Sequence, residues 1–469
     1  MSKNIIKELD PVFNPESVAI IGASSNPAKW GGMILNQALI SGFRGRIYPI
    51  NPKENMIFGL KTYHDILEVP DKVDLAVFTI PAAHMPAVMR NCVQKGVKGG
   101  VIISADFSET GAQGKALEDE TVKIAQTGGL RFIGPNGNGM WTSSVGLNVS
   151  PFPHPAGGPL AFISQSGTFR GVAARTASAR GFGFSKSISI GNQADLQAED
   201  YLEYFAHDDD TKVIAIYMEG FKDGRKFIEI AKKVAKLKPI LIFKGGSSDI
   251  GAKATMSHTA SIAGADEIFN AMCQQIGLMR VYEVSNLFVM AEALFSQPLP
   301  RGNRIAIVGN GGQGVIVADY LSSLGIDIPE FKEKDQNRLR KVMPPHAPTP
   351  YNPVDFAAGA MEAMDEVRII EMLASFEYID GIITNVPMER SFKKSLPEQK
   401  KDIITAIDTF SKIPEKYGKP IITQRWNISE TVADILKSTK IPVYDSSEDC
   451  ALAMSALVRY AQIKYRDSL

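Results

Sequence analysis

Short apolar runs rich in β-branched residues alternate with helical stretches along all 469 residues of this chain. That alternation constrains the fold more than any other feature. Strand–helix–strand repetition predicts parallel sheets covered by helices on both faces. In the first third, strands are expected at Ser17–Ile21, Arg46–Ile50, 75–80, 100–103 and Arg131–Ile133, with helices at 28–41 and 84–95. A second series follows at 160–164, 187–189, Val213–Met218 and 239–243. The third runs through 304–308, Gly381–Asn385, 420–424 and 441–444, and closes with a helix over 446–465. Pro/Gly-rich stretches at 152–159 and 296–302 read as linkers. The proline-dense segment 341–353 reads as a surface loop, because proline removes a donor and blocks helix continuation. The expectation is α/β, with three doubly wound units.

Bulk properties exclude some classes. Lys+Arg and Asp+Glu are both 51, so net charge offers no general attraction for nucleic acid or an anionic membrane. No apolar run is long enough to span a bilayer, and the first ten residues lack the apolar core of a signal peptide. Cys92, Cys273 and Cys450 stand far apart without a CxxC pair. No disulfide framework and no metal site are expected, and a reducing cytoplasm fits.

The first unit has the outline of a nucleotide site. Val18-Ala-Ile-Ile-Gly22-Ala23-Ser24-Ser25 places a glycine after the first strand, where backbone approaches a phosphate at the next helix N-terminus. The dinucleotide pattern GxGxxG is missing, and the second strand leads into Asn51-Pro52-Lys53 without an acidic ribose partner. Lys29 and Lys53 suit a more anionic ligand, and coenzyme A carries both a 3′-phosphate and a diphosphate.

His258, one of six histidines, lies among small residues in Ser257-His258-Thr259-Ala260-Ser261. A neutral imidazole can accept a phosphoryl group, and a carboxylate on its other nitrogen would fix the tautomer. Glu219, at the end of Val213–Met218, is the candidate carboxylate. Two glycine-containing helix starts are candidate phosphate cradles: Ser164-Gln165-Ser166-Gly167-Thr168, and Asn310-Gly311-Gly312-Gln313-Gly314. Each offers free N–H groups and a dipole end. Gly245–Gly251, just before His258, supplies hinge glycines.

In order, Val-Ala-Ile-Ile-Gly-Ala-Ser (18–24), Gly-Pro-Asn-x-x-Gly (134–139), Ser-Gln-Ser-Gly (164–167), Gly-Asn-Gln-Ala-Asp (191–195), Met-Glu-Gly (218–220), Ser-His-Thr-x-Ser-x-Ala-Gly (257–264) and Asn-Pro-Val-Asp (352–355) span essentially the whole chain. The ordered set resembles the α subunit of NDP-forming acyl-CoA synthetases, relatives of succinyl-CoA synthetase. The resemblance implies a Rossmann-like CoA-binding domain (1–148) and two flavodoxin-like ligase domains, 149–298 carrying the phosphohistidine and 299–469. It implies that His258 is phosphorylated, that Glu219 is its partner, and that the two glycine loops hold the phosphate. It places CoA on Gly22, Ala23, Ser24, Ser25, Lys29, Asn51, Lys53, Pro81 and Asn136.

In this family acyl-CoA and phosphate give an acyl phosphate, the histidine takes the phosphoryl group, and a mobile segment delivers it to ADP. No stretch reads as an ATP-grasp domain. ATP or ADP and Mg2+ are therefore expected on a partner β subunit, in an α2β2 hetero-oligomer, with a small carboxylic acid as substrate. Two features depart from the family: Gly137-Asn138, where Cys-Leu or a similar pair is usual, and Phe169-Arg170, where small residues are common. Arg170 could pair with a carboxylate or phosphate. Two other readings remain open: a CoA-binding regulatory protein without turnover, and an NAD(P)-dependent oxidoreductase, against which the missing GxGxxG weighs.

Overall fold

The computed structural model describes residues 3–153, 156–248, 250–251, 266–309, 311–357, 361–387, 396–425, 432, 435–436 and 438–466. It divides into two compact units, 1–284 and 285–469.

The first unit holds two sheets. The first contains β1 (Ser17–Ile21), β2 (Arg46–Ile50), β5 (Leu75–Phe78), β6 (Gly99–Ile102) and β7 (Arg131–Ile133), all parallel, in the order β2-β1-β5-β6-β7. A small hairpin, β3 (Met56–Ile57) and β4 (Leu60–Lys61), stands apart from it. Every residue of β1 is buried, as expected for a strand covered on both faces. Ala19 and Ile21 share a core with Met85, Met89 and Cys92 of helix Met85–Lys95. Helix Trp30–Ile40 packs on β1 and β2, and helix Lys3–Phe13 on β6 and β7.

The second sheet comprises β8 (Met140–Thr142), β9 (Leu147–Val149), β10 (Gly157–Ser164), β11 (Phe184–Ser189), β12 (Val213–Met218), β13 (Ile240–Lys244) and β14 (Met279–Val281). Its order is β14-β13-β12-β10-β11-β8-β9. Strands β10 to β14 are parallel, whereas β8 runs antiparallel to both β11 and β9.

Two expectations need correction. Residues 157–159, read as linker, form the start of β10. Strand β11 begins at Phe184, three residues before the expected 187. Its early part hides polar side chains behind specific partners: Lys186 is buried and pairs with Asp208 at 2.8 Å, and the Ser185 and Thr211 hydroxyls meet at 2.7 Å.

The second unit is built on β15 (Ile305–Gly309), β16 (Val354–Asp355), β17 (Gly381–Asn385), β18 (Ile421–Gln424) and β19 (Val443–Tyr444), all parallel, in the order β16-β15-β17-β18-β19. Strand β16 is short because the side chain of Asn352 continues its pairing. Its Oδ1 accepts from Ile307 N at 3.0 Å, and its Nδ2 donates to Ile305 O and Pro329 O, each at 3.0 Å. Segment 341–353 forms neither helix nor strand, as its prolines predict.

The parallel strands of the three sheets thus share one winding: the second strand flanks the first on one side and the third flanks it on the other. Each sheet has a switch point beyond the carboxyl ends of its first and third strands, where open α/β sheets leave a crevice. Among the described residues no helix is long and apolar enough to cross a membrane.

Candidate functional site

The first crevice lies beyond β1 and β5. Gly22 leaves β1 with φ +88, and a methyl group there would lie 2.8 Å from Thr79 Oγ1. Gly31 and Gly32, at the start of helix Trp30–Ile40, are tighter still. A methyl at Gly31 would sit 1.9 Å from Gly22 O, and one at Gly32 2.1 Å from Asn26 O. The helix start is therefore pressed against the loop after β1, the geometry a phosphate cradle requires.

Ala23 is buried beneath the loop, while Ser24 is half-buried and Ser25 exposed. Asn51 Nδ2 donates to Ala23 O at 2.7 Å, and its Oδ1 accepts from Lys53 N at 2.8 Å, which ties the loops after β1 and β2 together. Lys29, Lys53 and Pro81 are exposed around this rim. A strongly anionic ligand such as the phosphates of CoA fits this combination of tight backbone and exposed lysines. Asn136, with φ +58, follows Gly134–Pro135 at the end of β7 and reaches Asn192 Oδ1 at 3.3 Å.

The second crevice lies beyond β10 and β12. Glu219 is 5% exposed. Gln165 Oε1 accepts from Glu219 N at 2.8 Å and from Gly220 N at 3.1 Å, so its side chain fixes the backbone on either side of the carboxylate. The Tyr217 hydroxyl donates to Glu219 Oε1 at 3.2 Å. Glu219 Oε2 is buried with no partner among the described residues. A buried carboxylate oxygen left without a donor costs free energy unless something else answers it.

Across the crevice, Ser166 caps helix Gly167–Ala179, its hydroxyl accepting from Phe169 N at 3.3 Å. Ser164 is buried, and its hydroxyl donates to Ser166 O at 2.6 Å, so it shapes the turn. Thr168 is exposed at the helix start. Gly167 lies against Asn138: a methyl at Gly167 would sit 2.3 Å from Asn138 Cγ.

The turn 190–195 stitches the two crevices together. Ile190 N donates to Ser164 O at 2.8 Å, Ala194 N to Gly134 O at 3.0 Å, and Gln193 Nε2 to Gly220 O at 3.4 Å. Asp195 closes the turn, accepting from Arg131 Nε at 3.0 Å and Phe132 N at 2.9 Å.

His258 and Asn310 lie outside the described residues. In the second unit, Gly311 N donates to Asp355 Oδ1 at 3.0 Å, ahead of helix Gly312–Ser323. Gly314 packs on Pro353, where a methyl would lie 3.1 Å from Cβ. The Asn-Pro-Val-Asp run is thereby explained in both its polar members, Asn352 in the sheet and Asp355 on the loop.

Sequence reasoning missed the side-chain roles of Gln165 and Tyr217. Gln165 stood inside a motif already noted, and Tyr217 read only as a strand residue.

A family model described as "CoA binding domain" matches residues 16–141, and one described as "Succinyl-CoA ligase like flavodoxin domain" matches residues 157–294. The α subunit of "Acetate--CoA ligase [ADP-forming] II" from Pyrococcus furiosus is 39% identical, over 97% of this chain and 98% of its own length. "Acetate--CoA ligase [ADP-forming] II" of Archaeoglobus fulgidus is 36% identical over 97% of this chain and 68% of its own, longer length. Among solved structures, acetyl-coenzyme A synthetase 1 of Ca. Korarchaeum cryptofilum, in complex with phosphate and ADP, aligns with a TM-score of 0.87. It is 33% identical and covers 98% of this chain and 99% of its own.

Proposed function

This chain belongs to the ADP-forming acyl-CoA synthetases, acid–thiol ligases, as a chain of the α-subunit kind, and from that premise we propose how its residues divide the reaction. The crevice beyond β1 and β5 holds CoA, with Gly22 to Ser25 against its phosphates and Lys29, Lys53, Asn51, Pro81 and Asn136 around it. The start of helix Gly167–Ala179 holds phosphate through the free N–H groups of its first turn. Within the second unit, loop 310–314 is the other candidate phosphate-holding helix start.

Phosphate attacks the acyl-CoA carbonyl, forming an acyl phosphate and releasing CoA. The ring nitrogen of His258 then takes the phosphoryl group and the carboxylic acid leaves. Glu219 accepts a hydrogen bond from the other ring nitrogen, holding the tautomer and offsetting the charge that develops on the ring. Gly245–Gly251 gives the histidine segment its hinges. An ATP-grasp β partner, in an α2β2 assembly, receives the phosphoryl group on ADP, with Mg2+ on that partner. All steps reverse, giving acyl-CoA from acid, CoA and ATP. The domain division is 1–148, 149–298 and 299–469. A cytoplasmic setting agrees with three cysteines that are buried and form no disulfide.

The observation that supports this reading is the buried Glu219 Oε2, without a partner among the described residues, at the same switch point as the helix start capped by Ser166. The test is the intact mass of the full chain after exposure to acetyl phosphate. One added acid-labile phosphoryl group, absent in His258→Asn, is expected. An unmodified wild-type chain, or equal labelling of His258→Asn, overturns the assignment.

A further inference from the structure

Arg170 is a buried charge that the reaction described above does not use. It sits in the first turn of helix Gly167–Ala179 and is 3% exposed. One guanidinium nitrogen donates to Asn138 O at 3.0 Å, and the group lies 5.9 Å from the centre of the Phe152 ring. Its Nε is buried without a partner. Among the described residues no carboxylate pairs with it. Burial alone lowers its pKa, to about 10, which leaves it charged at neutral pH.

Buried charges are ordinarily paired, because removing them from water is costly. A Met of similar length would fill the space without that penalty. Packing therefore does not explain a cation here, but its position does. The helix start above it already carries a partial positive charge. A guanidinium one turn below, shielded from water and not cancelled by an acid, adds to that potential. Asn138 couples the two, its side chain on Gly167 and its carbonyl on Arg170.

We infer that Arg170 is an electrostatic component of the anion site at this helix start, selecting a multiply charged phosphate, whether inorganic phosphate or the phosphoryl end of an acyl phosphate. It acts through its field and need not touch the ligand. The inference rests on the phosphate-site reading above and deepens it.

The test titrates inorganic phosphate, and separately acetyl phosphate, into the full chain by calorimetry, for wild type, Arg170→Met and Arg170→Lys. Arg170→Met should weaken inorganic phosphate binding by about tenfold or more, from a unit charge at this depth. CoA affinity should hold, and the thermal midpoint should hold or rise. Arg170→Lys should recover most of the phosphate affinity. Weakening of both ligands assigns the site to the phosphoryl group, and weakening of inorganic phosphate alone assigns it to the free ion.

Unchanged phosphate affinity in Arg170→Met overturns the inference, as does a wild-type chain that binds no phosphate. Should the Met variant fail to fold, loss of phosphate affinity in a folded Arg170→Lys would do the same. Failure of the phosphohistidine reading is distinguishable, since it shows as phosphate binding without any phosphoryl group on His258.

Discussion

The Tyr217 hydroxyl donates to Glu219 Oε1 from two residues earlier on the same strand end. The ring is clamped. It stacks on Phe169 at 4.1 Å between centroids and lies 5.8 Å from Phe243. Gly245 leaves room for the hydroxyl, since a methyl there would sit 2.6 Å from it. Burial first, then the neighbouring Glu219 charge, push the phenol well above its usual pKa, so it remains a donor through the neutral range.

Tyr217→Phe keeps the stack and deletes only the donor. Phosphorylation of the full chain by acetyl phosphate should slow by about tenfold, the scale of one hydrogen bond to a charged group. The thermal midpoint should barely change. An unchanged rate would show that Tyr217 only fills space.

Gly31→Ala tests the cradle from the backbone side. The added methyl would overlap Gly22 O, which is itself fixed because Gly22 N donates to Ile50 O at 3.0 Å. Helix or loop must move, at a cost of about 1–3 kcal/mol in stability. CoA binding by calorimetry should weaken more than tenfold, since helix N-terminal N–H groups act only at close range. A variant that binds CoA normally would place the cofactor elsewhere.

The pattern of what is legible follows from where the information lies. The parallel strands read clearly, because burial on both faces makes them continuous apolar runs, as in Ser17–Ile21 and Val213–Met218. The β8–β9 hairpin does not, since each strand has three residues and one centres on Asn148, held by Gln37 and Phe152 O from elsewhere in the chain. Lys186 hides β11 for the same reason: a buried lysine reads as surface until Asp208 is seen beside it.

At the candidate site, Glu219 is legible as a carboxylate at a strand end. Its neighbours are not, because Gln165 acts on it across 54 residues through backbone N–H groups that leave no sequence pattern. Arg170 is legible as a departure, but its burial and missing counter-ion exist only in three dimensions.

Asp266, the first described residue after the His258 segment, opens helix Asp266–Ile276 and anchors it. Its Oδ1 meets Arg280 at 2.5 Å and Lys244 at 3.6 Å. Both cations also approach the Phe269 ring, at 5.4 and 5.5 Å. The Arg280 hydrogen bond, above all, holds the Asp266 carboxyl below its usual pKa. A carboxylate with a depressed folded pKa contributes stability that is present above its unfolded value, about 4, and lost as pH falls through the folded one. Asp266→Asn leaves two neighbouring cations without their shared anion. The variant should unfold at lower urea than wild type at pH 7, and the gap should shrink as pH falls below about 4, where the unfolded carboxylate protonates, and on through the depressed folded value, where the native one does. Urea midpoints at pH 7, 5 and 3 measure this directly. A gap that stays constant across that range would mean that Asp266 anchors the helix without its charge, as an N-terminal hydrogen-bond acceptor alone.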